Sequence, residues 1–372
     1  MTAPTALFLI GAGPQLHSAR RVGAYLVRPA ELLNLWDASV VGLDAGDPDG
    51  HIAPATFGRL RAVSAAVRAW AKANPGGVIV TPQDVGLVYR RAIAVGRRAG
   101  LSIVLLPDGA VGDGKLSQRS LLGGAVPLAD AVLRGLGLFA GVHGAMAASK
   151  PELVLSWGPG WDGVYAGRGV GTVVDVGNPR ADGLDALPAP QDDRLLICSQ
   201  PPWLPSIGGD PTAVHWYGWI ERLVASAPEG AVKVRLHPQE RDRLHEMPVG
   251  PATRAVLTEG TTFHHDLGWS GAVMSWSSTT MIEAAGAGRP VISVAVNPVA
   301  GELARAYVFN RDPRMVMVTP DELPDWPSAL AVIGKARVQQ DGLADDYLVN
   351  VGSAAKAAAA ALDGWNTPKA AR

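Results

Sequence analysis

Residues 272–285 read Ala272-Val273-Met274-Ser275-Trp276-Ser277-Ser278-Thr279-Thr280-Met281-Ile282-Glu283-Ala284-Ala285. An apolar run ends in a cluster of hydroxyls, and an apolar helix-forming stretch comes next. Short apolar runs bounded by turn residues read as buried strands, and hydroxyls before a helical stretch read as its start. The segment is therefore a βα unit, and the pattern recurs along the chain. Strand-like runs lie at Ala6–Ile10, Val78–Thr81, Ser102–Leu106, Leu153–Ser156 and Gly171–Val176. A second series lies at Arg194–Ser199, Val232–Leu236, Ala272–Ser275, Val291–Val294 and Met315–Val318. Helical patterns separate them at Pro54–Ala73, Val85–Ala99 and Ala213–Ser226. Such alternation predicts an α/β protein with mainly parallel sheets. The stretch Val132–Ala148, interrupted by Arg134 and His143, reads as a buried helix.

The chain has 372 residues, 48% of them hydrophobic, which is more than one core usually holds. Two domains are expected. The Pro- and Asp-containing stretch Gly177–Asp193 reads as the linker between them. The expected layout is an N-terminal Rossmann-like domain over 1–185 and a C-terminal one over 186–345, with a helical, Ala-rich tail over 346–372. Ligands of open α/β sheets bind beyond the carboxyl ends of the strands, so the two domains are expected to face a central cleft.

A formal net charge of -1 does not suit a non-specific polyanion binder, because neutralising many phosphates takes a basic surplus. The single cysteine, Cys198, has no partner for an internal disulfide and sits in an apolar run, where it reads as a buried strand residue. No Cys/His cluster has zinc spacing, and His264-His265-Asp266 reads as surface or loop, with adjacent histidines on an extended chain facing opposite ways. The N-terminal apolar run is too short for a signal peptide, and no segment is long and apolar enough to span a membrane. A cytoplasmic protein is expected. Attachment to the inner membrane face takes a basic or aromatic surface patch, and the sequence does not locate one.

Four places carry chemistry-bearing residues. In Lys233-Val234-Arg235-Leu236-His237-Pro238, strand alternation sets Lys233, Arg235 and His237 on one face and delivers His237 to the strand's carboxyl end. There an imidazole donates to a leaving phosphate, or else caps a loop. The hydroxyls Ser277, Ser278, Thr279 and Thr280 suit an anion at a helix start, while Thr280 with Glu283 also fits an ordinary capping box. Leu105-Leu106-Pro107-Asp108-Gly109 puts a carboxylate at a strand end as a candidate general base, with Asp113 as its rival and a plain Pro-Asp-Gly turn as the bland alternative. Gly11-Ala12-Gly13-Pro14 lacks the third glycine of a dinucleotide fingerprint, since Leu16 stands there. It reads as a close-approach loop, with Gly11, Gly13 and His17 on the acceptor side. Of the 11 tryptophans, Trp276 is singled out because it lies inside the hydroxyl cluster.

Taken together, Pro107-Asp108-Gly109, Val176-Gly177-Asn178-Pro179-Arg180-Ala181-Asp182, Ile197-Cys198-Ser199-Gln200-Pro201, His237-Pro238 and Ser277-Ser278-Thr279 with Glu283 form an ordered set. The set resembles the bacterial capsule and surface-polysaccharide glycosyltransferases of the GT-B fold, including polysialyltransferases, sialyltransferases and CDP-glycerol glycerophosphotransferases. The resemblance implies that His237, Pro238, Ser277, Ser278, Thr279, Thr280 and Gln200 bind the donor nucleotide and its phosphate. It also implies Glu283 on the ribose, Asp108 as base, and a C-terminal helix that packs back on the first domain. The implied reaction moves a sugar or related group from a CMP-, CDP- or UDP-linked donor to a hydroxyl acceptor such as a glycan. It needs no metal and no further cofactor. The departure is Pro107, which stands where the sialyl families usually carry a second acidic residue.

Three competing readings stay open on sequence. A UDP-N-acetylglucosamine 2-epimerase shares the domain pattern but usually shows Ser-Gly-Gly before its phosphate helix. A non-catalytic nucleotide-sugar binder needs no base. A transferase acting on DNA needs a basic face, for which Arg90, Arg91, Arg97 and Arg98 are the candidates.

Overall fold

The computed structural model describes residues 4–46, 55–109, 146–203 and 209–365. Asp113 and most of the stretch 132–148 lie outside the described residues. The chain divides into two compact units, Met1–Asp182 with Val349–Arg372, and Gly183–Leu348.

The first unit holds a seven-stranded sheet in the order β3-β2-β1-β4-β5-β6-β7. Its strands are β1 (Ala6–Ile10), β2 (Ala30–Asn34), β3 (Ser39–Val41), β4 (Val78–Thr81), β5 (Ser102–Leu105), β6 (Leu153–Ser156) and β7 (Thr172–Asp175). All neighbours pair parallel except β2 and β3. β1, β4, β5 and β6 are buried throughout, as a sheet covered on both faces requires. On one face, helices Phe57–Ala73 and Leu87–Arg98 bury Val63, Val67, Trp70, Val88, Ala92 and Ile93 against Leu7, Leu9 and Ile79. On the other, helices Gly13–Gly23 and Ala354–Gly364 bury Leu16, Ala19, Ala355, Ala358 and Leu362 against Phe8, Val80 and Val104.

Helix Ala354–Gly364 is docked at both ends. Asp182 accepts the backbone N–H groups of Ala354 and Ala355 at 2.7 and 3.0 Å, which satisfies donors that a helix start leaves open. Asp363 accepts from Arg28 Nε at 3.0 Å. Gly177 has φ +85°, and a Cβ there would stand 2.1 Å from the Val349 carbonyl oxygen. The stretch Gly177–Asp182 is therefore a docking seat for the chain's end, with Asn178, Pro179 and Ala181 buried. The second unit begins only after Asp182, at Gly183.

The second unit holds a five-stranded parallel sheet, order β12-β11-β10-β8-β9. Its strands are β8 (Leu195–Cys198), β9 (Val232–Arg235), β10 (Ala272–Ser275), β11 (Val291–Val294) and β12 (Val316–Val318). Helices Asp210–Ser226 and Trp326–Gln339 cover one face, where Trp216, Trp219, Ile220, Leu223 and Ile333 join a core with Ile197, Val234 and Met274. Both units are Rossmann-like. The Ala-rich tail is not one helix: Leu343–Tyr347 ends before a turn with Asn350 and Gly352 at positive φ, and the final helix starts at Ala354.

Candidate functional site

In the second sheet the chain leaves β8 toward β9 and returns to β10 on the opposite side of β8. The β8/β10 boundary is thus a topological switch point, where diverging connections leave a crevice at the carboxyl ends of the strands. Gln200 and Ser277 meet there, each two residues past its strand. Gln200 Nε2 donates to the Ser277 carbonyl at 3.0 Å, and its Oε1 accepts the Ser277 N–H at 3.2 Å. Gln200 is committed to the backbone of Ser277 and fixes the loop that precedes helix Thr279–Gly286.

That helix is capped by Ser278, whose hydroxyl accepts the Thr280 N–H at 3.3 Å. The expected capping box of Thr280 with Glu283 does not form, because Thr280 already lies in the first helical turn. Ser277, Ser278, Thr279 and Thr280 are half-buried as residues, but the Thr280 Oγ1 is buried. Glu283 is only 1% exposed and lies past the first turn of the helix. No acidic residue occupies the first turn. The N-terminal backbone donors and the positive end of the helix dipole therefore meet no carboxylate from within that turn.

His237 comes after β9, the neighbour of β8 on its other side. The alternation is as expected: Val232 and Val234 are buried, Lys233 and Arg235 half-buried. Arg235 pairs with the fully buried Asp266 at 2.6 Å, and Lys233 lies 4.4 Å over the Trp269 ring. His237 is the N-cap of the short helix Pro238–Asp242; its Nδ1 accepts the Gln239 N–H at 3.3 Å. Nδ1 as acceptor puts the proton of the neutral ring on Nε2, so the same histidine caps its loop with one nitrogen and carries a donor on the other. Pro238 is exposed at the first helical position. Strands lie about 4.8 Å apart, so the ends of β9 and β10 are separated by about 10 Å across β8.

Below His237 lies a polar network that the sequence reading passes over. Glu240, fully buried, accepts the His237 N–H at 2.7 Å through Oε2. Its Oε1 accepts the Ser199 hydroxyl at 2.6 Å and the Tyr217 hydroxyl. Ser199 in turn accepts from Trp216 Nε1 at 2.8 Å. Burial pushes the Glu240 carboxyl up, against the pull of these donors. The signal was available: a polar cap residue with Glu three positions later is a capping-box pattern, and His237-Pro238-Gln239-Glu240 has that spacing.

The first sheet has its own switch point between β1 and β4. Gln15, in the first turn of helix Gly13–Gly23, organises it. Its Oε1 accepts the Gly11 N–H at 2.8 Å and the Tyr89 hydroxyl at 2.7 Å, and its Nε2 donates to Asp108 Oδ2 at 2.7 Å. Asp108, half-buried past β5, is held above the ordinary carboxylate range by burial, opposed by the Gln15 hydrogen bond and the nearby Arg180 charge. A Cβ at Gly11 would stand 2.3 Å from the Tyr89 hydroxyl, so the protein itself requires that glycine; at Gly13 a Cβ would meet nothing within 4 Å. His17 is exposed on the same helix.

Other expectations are corrected. Trp276 is 5% exposed and packs on Trp216, ring centroids 5.6 Å apart, in the core. His264-His265-Asp266 lies on helix Phe263–Trp269, not on an extended chain, and Asp266 is buried. The four arginines of helix Leu87–Arg98 do not form one basic face: Arg90 is 1% exposed with its Nε on the Asp84 carbonyl, and Arg97 pairs with Glu152 at 3.4 Å. Cys198, by contrast, is the buried strand residue its apolar run predicts, its thiol pushed up to about 12 by burial. Among the described residues no three His, Cys, Asp or Glu side chains gather as a metal site.

No family model matches the chain, and no curated protein matches it in sequence. Solved structures do match in fold. A Listeria monocytogenes protein provisionally assigned as a UDP-N-acetylglucosamine 2-epimerase superposes with a TM-score of 0.59 at 13% identity, over 97% of this chain and 96% of that one. The UDP-N-acetylglucosamine 2-epimerase of Neisseria meningitidis, solved with UDP-N-acetylglucosamine bound, gives 0.56 at 13% identity over 95% and 97%. A histidine-to-alanine variant of the wall teichoic acid polymerase TagF gives 0.55 at 11% identity over 96% and 88%. At such identities the likeness is one of fold: two Rossmann-like units of GT-B type.

Proposed function

We propose that the protein is a nucleotide-sugar-dependent glycosyltransferase that moves a sugar or related group to an acceptor hydroxyl without a metal ion. The observation that carries this is the β8/β10 switch point, where Gln200 clamps Ser277 ahead of a helix whose first turn holds no acidic side chain, with His237 one strand away on the same edge. In this reading the helix start and the hydroxyls of Ser277, Ser278 and Thr279 hold the donor phosphate. His237 Nε2–H meets the charge that develops on it as the bond between sugar and phosphate breaks. Asp108 takes the proton of the acceptor hydroxyl as that oxygen bonds to the sugar carbon; its raised pKa makes it the stronger base. Gln15 and Arg180 hold Asp108.

The second reading is 2-epimerisation of a nucleotide sugar, favoured by the fold shared with the two epimerase-assigned structures. Incubation with UDP-, CDP- and CMP-linked sugars, then NMR, separates the two. Transfer gives free nucleoside phosphate and a glycosylated acceptor; epimerisation gives an inverted C2 centre. Chelation by EDTA is expected to leave the rate unchanged. His237→Ala is expected to lower turnover at least about 100-fold with the fold retained, and full activity in that variant sinks the mechanism.

A further inference from the structure

Helix Phe57–Ala73 contains no Asp or Glu, and neither does the helix packed against it, Leu87–Arg98. At about 100° per residue, Phe57, Arg61, Arg68 and Lys72 fall within a sector of about 60° along one edge of the first helix. All four are exposed, Phe57 by 83%. The sector beside them carries only Gly58, Ala62, Ala65, Ala69 and Ala73, also exposed. The buried side, with Val63, Val67 and Trp70, is the one that faces the sheet. The result is a flat outer face about 22 Å long, with a line of cations and an aromatic ring at its leading end.

The line continues onto the second helix. Arg91 Nε donates to Ser64 Oγ at 2.7 Å, which brings it beside Arg68. Its guanidinium is held below its ordinary value first by burial and then by the like charges of Arg68 and Arg98. Like charges gathered this way on a chain of net charge -1 are a local asymmetry that an anionic partner relieves.

We infer that this face docks the protein peripherally on an anionic phospholipid surface, with Arg61, Arg68 and Lys72 against the headgroups and Phe57 inserted at the interface. Flatness, small side chains and a leading aromatic suit a bilayer boundary. The exposed sector offers no Asn, Gln, Ser or Thr of the kind that contacts sugars and bases in a nucleic acid. Among the described residues no helix is long and apolar enough to cross a membrane. Each basic side chain near an anionic surface strengthens binding about fivefold, so the three together contribute on the order of a hundredfold.

The test is co-sedimentation of the full chain with vesicles of phosphatidylcholine alone and of phosphatidylcholine with roughly one-third phosphatidylglycerol, in low and high salt. Binding is expected only to the anionic vesicles and should fall steeply with salt. Arg61→Glu/Arg68→Glu/Lys72→Glu should abolish it, and Phe57→Ser should weaken it without changing the salt dependence. All four positions are exposed, so unchanged circular dichroism and melting are expected and keep the comparison valid. Equal binding by the triple variant, no preference for anionic vesicles, or tighter binding to duplex DNA lost in the same variant would each overturn the inference.

Discussion

Asp108 and Glu240 are both carboxyls raised by burial, yet they stand in different relations to the proposed chemistry. Asp108 has one side-chain donor on its Oδ2, Gln15, and sits at a strand end. Its folded form prefers the proton more than the unfolded chain does. Its contribution to stability is therefore complete below the ordinary carboxylate range and is lost as pH rises through the raised value. Asp108→Asn should thus leave the melting temperature at neutral pH unchanged or higher, while turnover falls about 100- to 10,000-fold. In the wild type the acid limb of the rate profile should lie above the ordinary carboxylate range. A melting temperature that drops with activity intact would assign Asp108 a structural role instead. Glu240 is the reverse case. It accepts from the His237 backbone, Ser199 and Tyr217, and Glu240→Ala strands all three donors. Each stranded group costs about 1–3 kcal/mol, so a loss of at least about 3 kcal/mol is expected in denaturant titration. An unchanged midpoint would show that the network does not hold His237. These roles were only partly legible in the sequence. Strand alternation and spacing delivered His237 to its strand end, but the acceptor beneath it depends on Ser199 and Tyr217, which are remote in sequence.

Among the elements, the C-terminal helix Ala354–Gly364 gives the sharpest test of packing. Its first backbone donors are held by Asp182, and Asp182→Ala should cost about 1 kcal/mol, the usual worth of an N-terminal cap. Faster hydrogen exchange in residues 354–364 measures it directly; unchanged exchange would mean that the core contacts of Ala355, Ala358 and Leu362 suffice alone. Buried parallel strands such as β1, β4, β10 and β11 were legible because continuous apolar runs leave few alternatives. β2 and β3 were not. β2 carries Glu31 and Asn34, and the Glu31 carboxylate accepts from Trp70 Nε1 at 2.6 Å, a donor on a distant helix. β3 is a three-residue edge strand entered through Ala38 at φ +60°. Gly177–Asp182 looked like linker because Gly, Asn and Pro signal loops; its seat for the distant chain end cannot be read locally.

For the whole molecule, what positions the proposed sites is strand order, which is set by long-range pairing and escapes local pattern. The helix-opening hydroxyls were visible in the sequence, but that β8 lies between β9 and β10 was not, and this order makes the β8/β10 boundary a topological switch point. The basic face that a DNA-directed reading asks of Arg90, Arg91, Arg97 and Arg98 is not made by those four, because Arg90 is buried and Arg97 is engaged with Glu152. Everything proposed for function rests on a nucleotide phosphate at the β8/β10 switch point. Calorimetric titration of UMP, UDP, CMP, CDP, GDP and TDP into the wild type and into His237→Ala tests it most directly. One nucleotide is expected to bind the wild type and to bind the variant at least about tenfold more weakly, a loss of about 1.4 kcal/mol. Equal affinity in the two proteins, or no binding of any nucleotide, would contradict the account.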